Sequence, residues 1–426
     1  MFGGGGVGES RRMDDVKLIT LDPAHFHAAL VQKEMYAGVS PRVAVYAPLG
    51  LDLTEHLTRV ARFNIRSAEP TAWELDIHTG GDCLGRMLAE QTPGSVVVLS
   101  GRNDAKIERI QRSVAGGFHV LADKPWILKS GDLPRVEAAL DDADARGVIA
   151  YDIMTERYEI TSMLHRALVN TPGVFGTLVS GSAEKPAIYM DSMHRLLKTV
   201  AGVPMMRPVE FFDILAQGEA LNDVGTHLVD LAQWIAFPDM ALDYRTDIEM
   251  LAARRWPTTL SAAQWERVTG ASRKEPFDYY GNNFVSYTLR GVHVAMDVRW
   301  DLEGVSDTYV ASFQGTKSRI DVRQGEAENF RPEVYVVPNS PELVEEVFAA
   351  LRGGLDGFAG VDVEDAGGEF RLAIPEMYRV GHEAHFAEVT RQFFAYLKDP
   401  KTLPAWEKPN MLAKYYVSTK GVEMAG

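Results

Sequence analysis

The stretch "LITLDPAHFHAALVQ", residues 18–32, decides how the chain reads. Its first residues are apolar, and the segment after the turn places apolar residues at helical spacing, so a short buried strand is predicted to run straight into a helix. In a doubly wound nucleotide fold that turn carries a glycine-rich phosphate loop. Here it holds Asp22, Pro23, Ala24, His25, Phe26 and His27, and no glycine.

Outward from this stretch, short runs rich in β-branched residues alternate with helical segments as far as about residue 155. The strands are predicted at 16–21, 42–47, 74–79, 95–100, 118–123 and 147–152. This rhythm predicts an α/β domain over 16–155, a Rossmann-type doubly wound parallel sheet whose ligand crevice lies beyond the carboxyl ends of the strands. After 155 come a helix (156–170), a Pro- and Met-containing stretch read as irregular (185–210) and a helix (222–236). Long alternating segments follow at 283–300 and 308–324, broken by "RG" and "GTKS" as hairpins require. Residues 156–426 are therefore expected to form an α+β domain on an open, largely antiparallel sheet. Such a sheet serves substrate binding and oligomerisation, as a homodimer or homotetramer. Residues 1–15, "MFGGGGVGESRRMDD", read as a flexible leader without a signal-length apolar run.

Composition narrows the function class. A formal charge of -15, from 44 basic and 59 acidic residues, argues against nucleic acid or an anionic membrane as partner and leaves a small molecule. Cys83 is the only cysteine, which excludes an intramolecular disulfide and a structural thiolate zinc site. With no apolar stretch near the length of a membrane span, a cytoplasmic location is expected.

Two motifs carry chemistry. In "HVLADKPW" (119–126), Lys124 leaves a buried-looking strand for the crevice, where a desolvated lysine loses its proton or polarises a substrate oxygen. The bland alternative is a surface loop lysine. In "NDVGTHLVDLAQW" (222–234), Asp223, His227, Asp230 and Trp234 share one helix face, with Gly225 permitting a close approach near its start. An Asp four residues before a His suits a relay that fixes the imidazole tautomer; the alternative is a cap, a core histidine and a packed tryptophan.

These motifs, in this order and separation, resemble the two signatures of the glucose-fructose oxidoreductase and inositol dehydrogenase family (Gfo/Idh/MocA), over nearly the whole chain from about residue 16. The resemblance implies that Lys124, Asp223 and His227 line a substrate pocket beside a nicotinamide. Asp123 stands where the family usually has Glu, and Arg157 resembles an arginine that follows the sixth strand. Cofactor contacts are expected from Asp22, Ala24, His25, Phe26 and His27, from Ser100, Arg102 and Asn103 after the fourth strand, and from Asp123 and Lys124. Arg157, His194 and Lys198 are expected at the substrate.

The departure from the family lies in the first turn, where an Asp repels a pyrophosphate unless it points away. "VYAPLGLD" (45–52) lacks the usual ribose-binding acid, Asp52 being a late candidate, and the missing arginine there points to NAD rather than NADP. His25 and His27 read as loop residues or as groups reaching the cofactor or active site. In the least favoured reading they bind a metal with His194 or His227 and a carboxylate, and no metal is assigned. The leading expectation is an NAD(P)-dependent oxidoreductase taking hydride from a hydroxyl of a sugar, glycoside or cyclitol. The alternatives are a redox-neutral glycoside-cleaving enzyme with retained NAD, a metal-dependent hydrolase or lyase, and a sugar-binding protein that has lost nucleotide binding.

Overall fold

All four residues of the first strand are buried, Leu18 in one core and Ile19 and Leu21 in another, so layers cover both faces of the sheet. The computed structural model describes residues 16–197, 199–200, 203–204 and 206–426; the leader and Lys198 lie outside them. In chain order the first part runs β1 (Leu18–Leu21), α1 (His27–Leu30), β2 (Arg42–Ala47), α2 (Leu51–Ile65), β3 (Glu74–Thr79), α3 (Cys83–Glu90), β4 (Val96–Leu99), α4 (Lys106–Ala115), β5 (His119–Asp123), α5 (Leu133–Arg146) and β6 (Ala150–Ile153). All pairings are parallel and the order is β3-β2-β1-β4-β5-β6, so the order reverses between β1 and β4. That switch point is where this topology opens its crevice.

The second part comprises α6 (Ile160–Val169), β7 (Ile188–Leu197), β8 (Thr199–Val200), β9 (Val203–Pro204), α7 (Ala220–Asp223), α8 (Gly225–Ala236), β10 (Ile248–Leu260), α9 (Ala262–Thr269), β11 (Phe277–Leu289), β12 (Val292–Glu303), β13 (Thr308–Gln314), β14 (Ser318–Gln324), β15 (Glu333–Pro338), α10 (Val344–Gly354), β16 (Asp362–Asp365), β17 (Phe370–Ala373), α11 (His382–Lys398) and α12 (Glu407–Ala425). Nine strands form one sheet in the order β10-β11-β12-β7-β13-β14-β15-β17-β16, antiparallel except for the β12–β7 pair. Arg290 and Gly291 both take positive φ between β11 and β12, which is the primed turn a tight hairpin needs.

Two expectations are corrected. The stretch read as irregular at 185–210 contains β7, at the middle of the nine-stranded sheet. Its polar residues Asp191, His194 and Arg195 disguised an alternation that buries Ile188, Met190 and Ser192. The division at residue 155 also does not separate the hydrophobic cores. Phe386, Val389 and Phe393 of α11 pack with Leu18, Val43 and Val98 on one face of the six-stranded sheet. Met411, Leu412 and Tyr415 of α12 pack with Ile19, Val97 and Val120 on the other.

Buried histidines give the fold an acid limit. Burial lowers the His56 pKa to about 4 and that of His165, set edge-on to Phe313, to about 3. An unfolded chain protonates both near pH 6.5, so stability is complete above that pH and is lost as pH falls towards 4. His165→Leu is expected to flatten this loss by about 1.4 kcal/mol per pH unit, read from urea unfolding at pH 7, 6 and 5. An unchanged slope would refute a neutral buried His165.

Candidate active site

At the carboxyl ends of β1, β4 and β5 the side chains converge on Asp123. This buried carboxylate accepts from Ser100 Oγ at 3.1 Å and meets His27 Nδ1 at 2.9 Å and His25 Nδ1 at 3.4 Å, all on Oδ2. Burial works to raise the Asp123 pKa, but His27, His25 and Lys106 outweigh it and hold the group well below the usual range. Burial lowers His27 to about 3 despite that carboxylate, so its ring is neutral at pH 7. Beneath them, fully buried Lys106 donates to the Asp123 carbonyl and to Asn103 Oδ1, both at 2.8 Å, and Asn103 in turn donates to the Gln217 carbonyl of the second part.

The missing glycine has a physical explanation. Asp22 takes φ +46°, a left-handed conformation that Asp tolerates, and its amide donates to the Tyr46 carbonyl. Its carboxylate Oδ2 lies 2.7 Å from Arg109 and 3.5 Å from Arg102, so its charge is matched by guanidinium. Close approach is provided from across the crevice instead. Gly101 has φ +86°, a Cβ there would lie 2.7 Å from the Ala24 Cβ, and the Ala24 amide donates to the Ser100 carbonyl at 3.0 Å.

The second part meets this crevice through α7 and α8. Lys124, after β5 and before a cis Pro125, forms a buried ion pair with Asp223. Burial works to lower the Lys124 pKa, but Asp223 and Asp123 outweigh it and the net shift is upward. The expected relay is corrected here: the Asp223 carboxylate is bound to Lys124, and buried His227 Nδ1 has no hydrogen-bond partner among the described residues. Burial, with the Lys124 charge, lowers His227 to about 4. Gly225 admits the side chains of Leu221 and Val298 rather than a ligand, a Cβ there lying 2.7 Å from Leu221 Cδ1 and 3.3 Å from Val298 Cγ2.

Other expected residues are placed differently. Arg157 makes a two-pronged pair with Asp230 at 2.6 and 2.7 Å and a third bond to Glu407 at 2.8 Å, beside a cavity of about 660 Å³ walled by Tyr151, Tyr158, Trp234 and Trp406. It is held in an ion-pair network with Asp230 and Glu407. The His194 ring nitrogens meet Ser192 Oγ at 3.1 Å and Asp307 at 3.3 Å, with the ring 5.1 Å from that of Trp300. Arg102 bonds Asp52 at 2.6 Å. This supplies the arginine that residues 45–52 lack and removes the argument for NAD over NADP.

Sequence reasoning missed three groups. Glu156 lies 3.0 Å from His382 at the start of α11, and its charge reaches His227. Burial works to raise Glu156, but the His382 hydrogen bond and charge hold it low. Arg207 lies over Phe211 and Trp300, 4.6 and 4.7 Å from their ring centroids, close enough for Asp223 to feel its charge. Lys106 is the third; its place inside an amphipathic helix hid it. The only signal for His382 was the pair "HEAH" (382–385), far from the site in sequence.

Residues 164–426 match the family model described as "Putative oxidoreductase C terminal domain". A crystal structure of a "putative oxidoreductase" from Parabacteroides merdae is 42% identical, covering 97% of this chain and 98% of that one, with a TM-score of 0.93. The chain belongs to this family of oxidoreductases. Among curated proteins none matches it in sequence. Two more distant structures share the oxidoreductase fold. An enzyme of gentamicin A biosynthesis, in complex with NAD, is 16% identical at TM-score 0.59, over 99% of this chain and 97% of that one. A 3-ketoreductase from Actinomadura kijaniata, in complex with NADP and TDP-benzene, is 15% identical at TM-score 0.54, over 94% of each chain.

The residues of the oxidoreductase crevice fit a dinucleotide. The strand order opens at β1/β4, Gly101 brings the loop after β4 against Ala24, Asp22 is neutralised, and Arg102 stands half-exposed at the rim. Leu49 and Leu51, 83% and 73% exposed just past β2, offer an apolar ledge for a base. Among the described residues, no helix is long and apolar enough to cross a membrane.

Proposed function

We propose that the chain is an NAD(P)-dependent dehydrogenase of the Gfo/Idh/MocA type, acting on a hydroxyl of a sugar, glycoside or cyclitol. The observation that carries this reading is the Lys124–Asp223 pair with His227 at the carboxyl edge of a sheet in dinucleotide-binding order. NAD(P), when bound, supplies the hydride acceptor. His227, neutral at pH 7 with a free Nδ1, accepts the hydroxyl proton. Lys124, kept charged by its two carboxylates, stabilises negative charge on the substrate oxygen, and Asp223 holds the ammonium in place. Arg207, braced on the buried Trp300 ring, supplies a cationic group suited to a ring bearing hydroxyls. The distant NAD and NADP complexes support the cofactor class. Tyr189, Asp191, Asp297 and Arg299, half-buried on the less covered face of the nine-stranded sheet, are where a second copy would pack.

Thermal unfolding of nucleotide-stripped protein tests the reading. Saturation at about 100 times the dissociation constant adds about 2.7 kcal/mol to stability, so a saturable rise in midpoint with NAD or NADP is expected. A sugar and cyclitol screen that follows nicotinamide reduction then identifies the substrate. No rise with either nucleotide would refute the proposal.

A further inference from the structure

The turn that replaces the glycine loop brings three donor atoms together. His25 Nδ1 and His27 Nδ1 lie 3.4 and 2.9 Å from Asp123 Oδ2, and all three atoms lie within 4.8 Å of one another. Around a tetrahedral ion with bonds of about 2.0–2.1 Å, neighbouring ligand atoms are roughly 3.3 Å apart. The two distances to Asp123 Oδ2 bracket that spacing. We propose that His25, His27 and Asp123 bind one divalent transition-metal ion of the zinc class at the mouth of the β1/β4 crevice.

Independent features favour an ion here over a plain hydrogen-bonded triad. His25 Nδ1 is enclosed and lies 3.4 Å from Asp123 Oδ2, yet among the described residues it makes no hydrogen bond of good geometry. An imidazole nitrogen shut in beside a carboxylate without a bond is costly as it stands and satisfied as a ligand. The carboxylate is held by its surroundings: Ser100 donates to the same Oδ2, and Lys106 fixes the Asp123 backbone through its carbonyl. Such outer partners orient ligating groups. Aromatic walls enclose the site, with Phe26 4.5 Å from the His25 ring and Phe386 4.6 Å from the His27 ring. Two imidazoles and one carboxylate suit zinc, cobalt or iron rather than magnesium or calcium, and leave a position open to an outside ligand on the His25 side, which is 36% exposed. The sequence named the two histidines for such a site with His194 or His227 and a carboxylate; the carboxylate beside them is Asp123.

This inference does not rest on the dehydrogenase reading, and its test is separate. Chelator-treated, full-length protein is titrated with zinc chloride by calorimetry and with cobalt chloride by visible absorption, in the absence of nucleotide. The expected results are one equivalent of zinc, four-coordinate cobalt bands, and affinity lowered at least about 100-fold by His25→Gln or His27→Gln. Ser100→Ala, which keeps every ligand, should weaken binding about 10-fold, and circular dichroism checks that the variants fold. Absence of a saturable equivalent in the wild-type protein, or undiminished binding in both histidine variants, overturns the proposal. A thermal shift with nucleotide but no zinc binding would sink the metal site alone; zinc binding without a nucleotide shift would sink the dehydrogenase alone.

Discussion

Lys124→Met is expected to lower turnover by about two to four orders of magnitude, because it removes the positive charge beside the substrate oxygen. It also strands Asp223, whose partly buried carboxylate is paired with that ammonium. Removing one member of a buried ion pair costs about 3–5 kcal/mol, so a drop in thermal midpoint should accompany the kinetic loss. The double variant Lys124→Met/Asp223→Asn separates the two effects. With no stranded charge, it should regain most of the stability and none of the turnover. A single variant that turned over at a rate near wild type would remove Lys124 from the mechanism.

Lys414→Met should unfold the protein more readily than any surface change. Lys414, 1% exposed on α12, lies 2.6 Å from Asp152 in β6 and 3.3 Å from Asp230 on α8. Arg157 completes the group through Asp230 and Glu407. Without the ammonium, Asp152 keeps only the Tyr415 hydroxyl, at 3.1 Å. Stability measured by urea denaturation is expected to fall by about 3–5 kcal/mol. A loss under about 1 kcal/mol, the range of exposed ion pairs, would show that the network is solvent-relaxed.

What could be read from the sequence was what local periodicity encodes. The expected strands at 42–47 and 74–79 match β2 and β3, and the "RG" and "GTKS" turns close the β11–β12 and β13–β14 hairpins. Lys124 and Asp223 could be chosen because each sits beside a recognisable motif. Their contact could not, because an i, i+4 spacing suggested His227 as the partner of Asp223 and only the tertiary placement of Asp223 beside the loop after β5 delivers Lys124. The same holds for Asp123 with His25 and His27, for Glu156 with His382, and for Arg157, whose partners lie on α8 and α12. β7 was lost for the opposite reason: its charged residues serve the partly exposed face and masked a local signal that was present.

The packing of α11 and α12 on opposite faces of the six-stranded sheet carries a lesson for chimaeras. In topological terms the nine-stranded sheet is an insertion: the chain leaves the first fold after β6, builds the second sheet, and returns to finish the first. A crossover at residue 155 would divide both cores of the parent fold. Paired crossovers at 155 and in the loop at 374–381 would instead exchange the inserted sheet as a cassette, with Lys124, Asp123 and the α11 histidines inherited from one parent and Asp223 and His227 from the other.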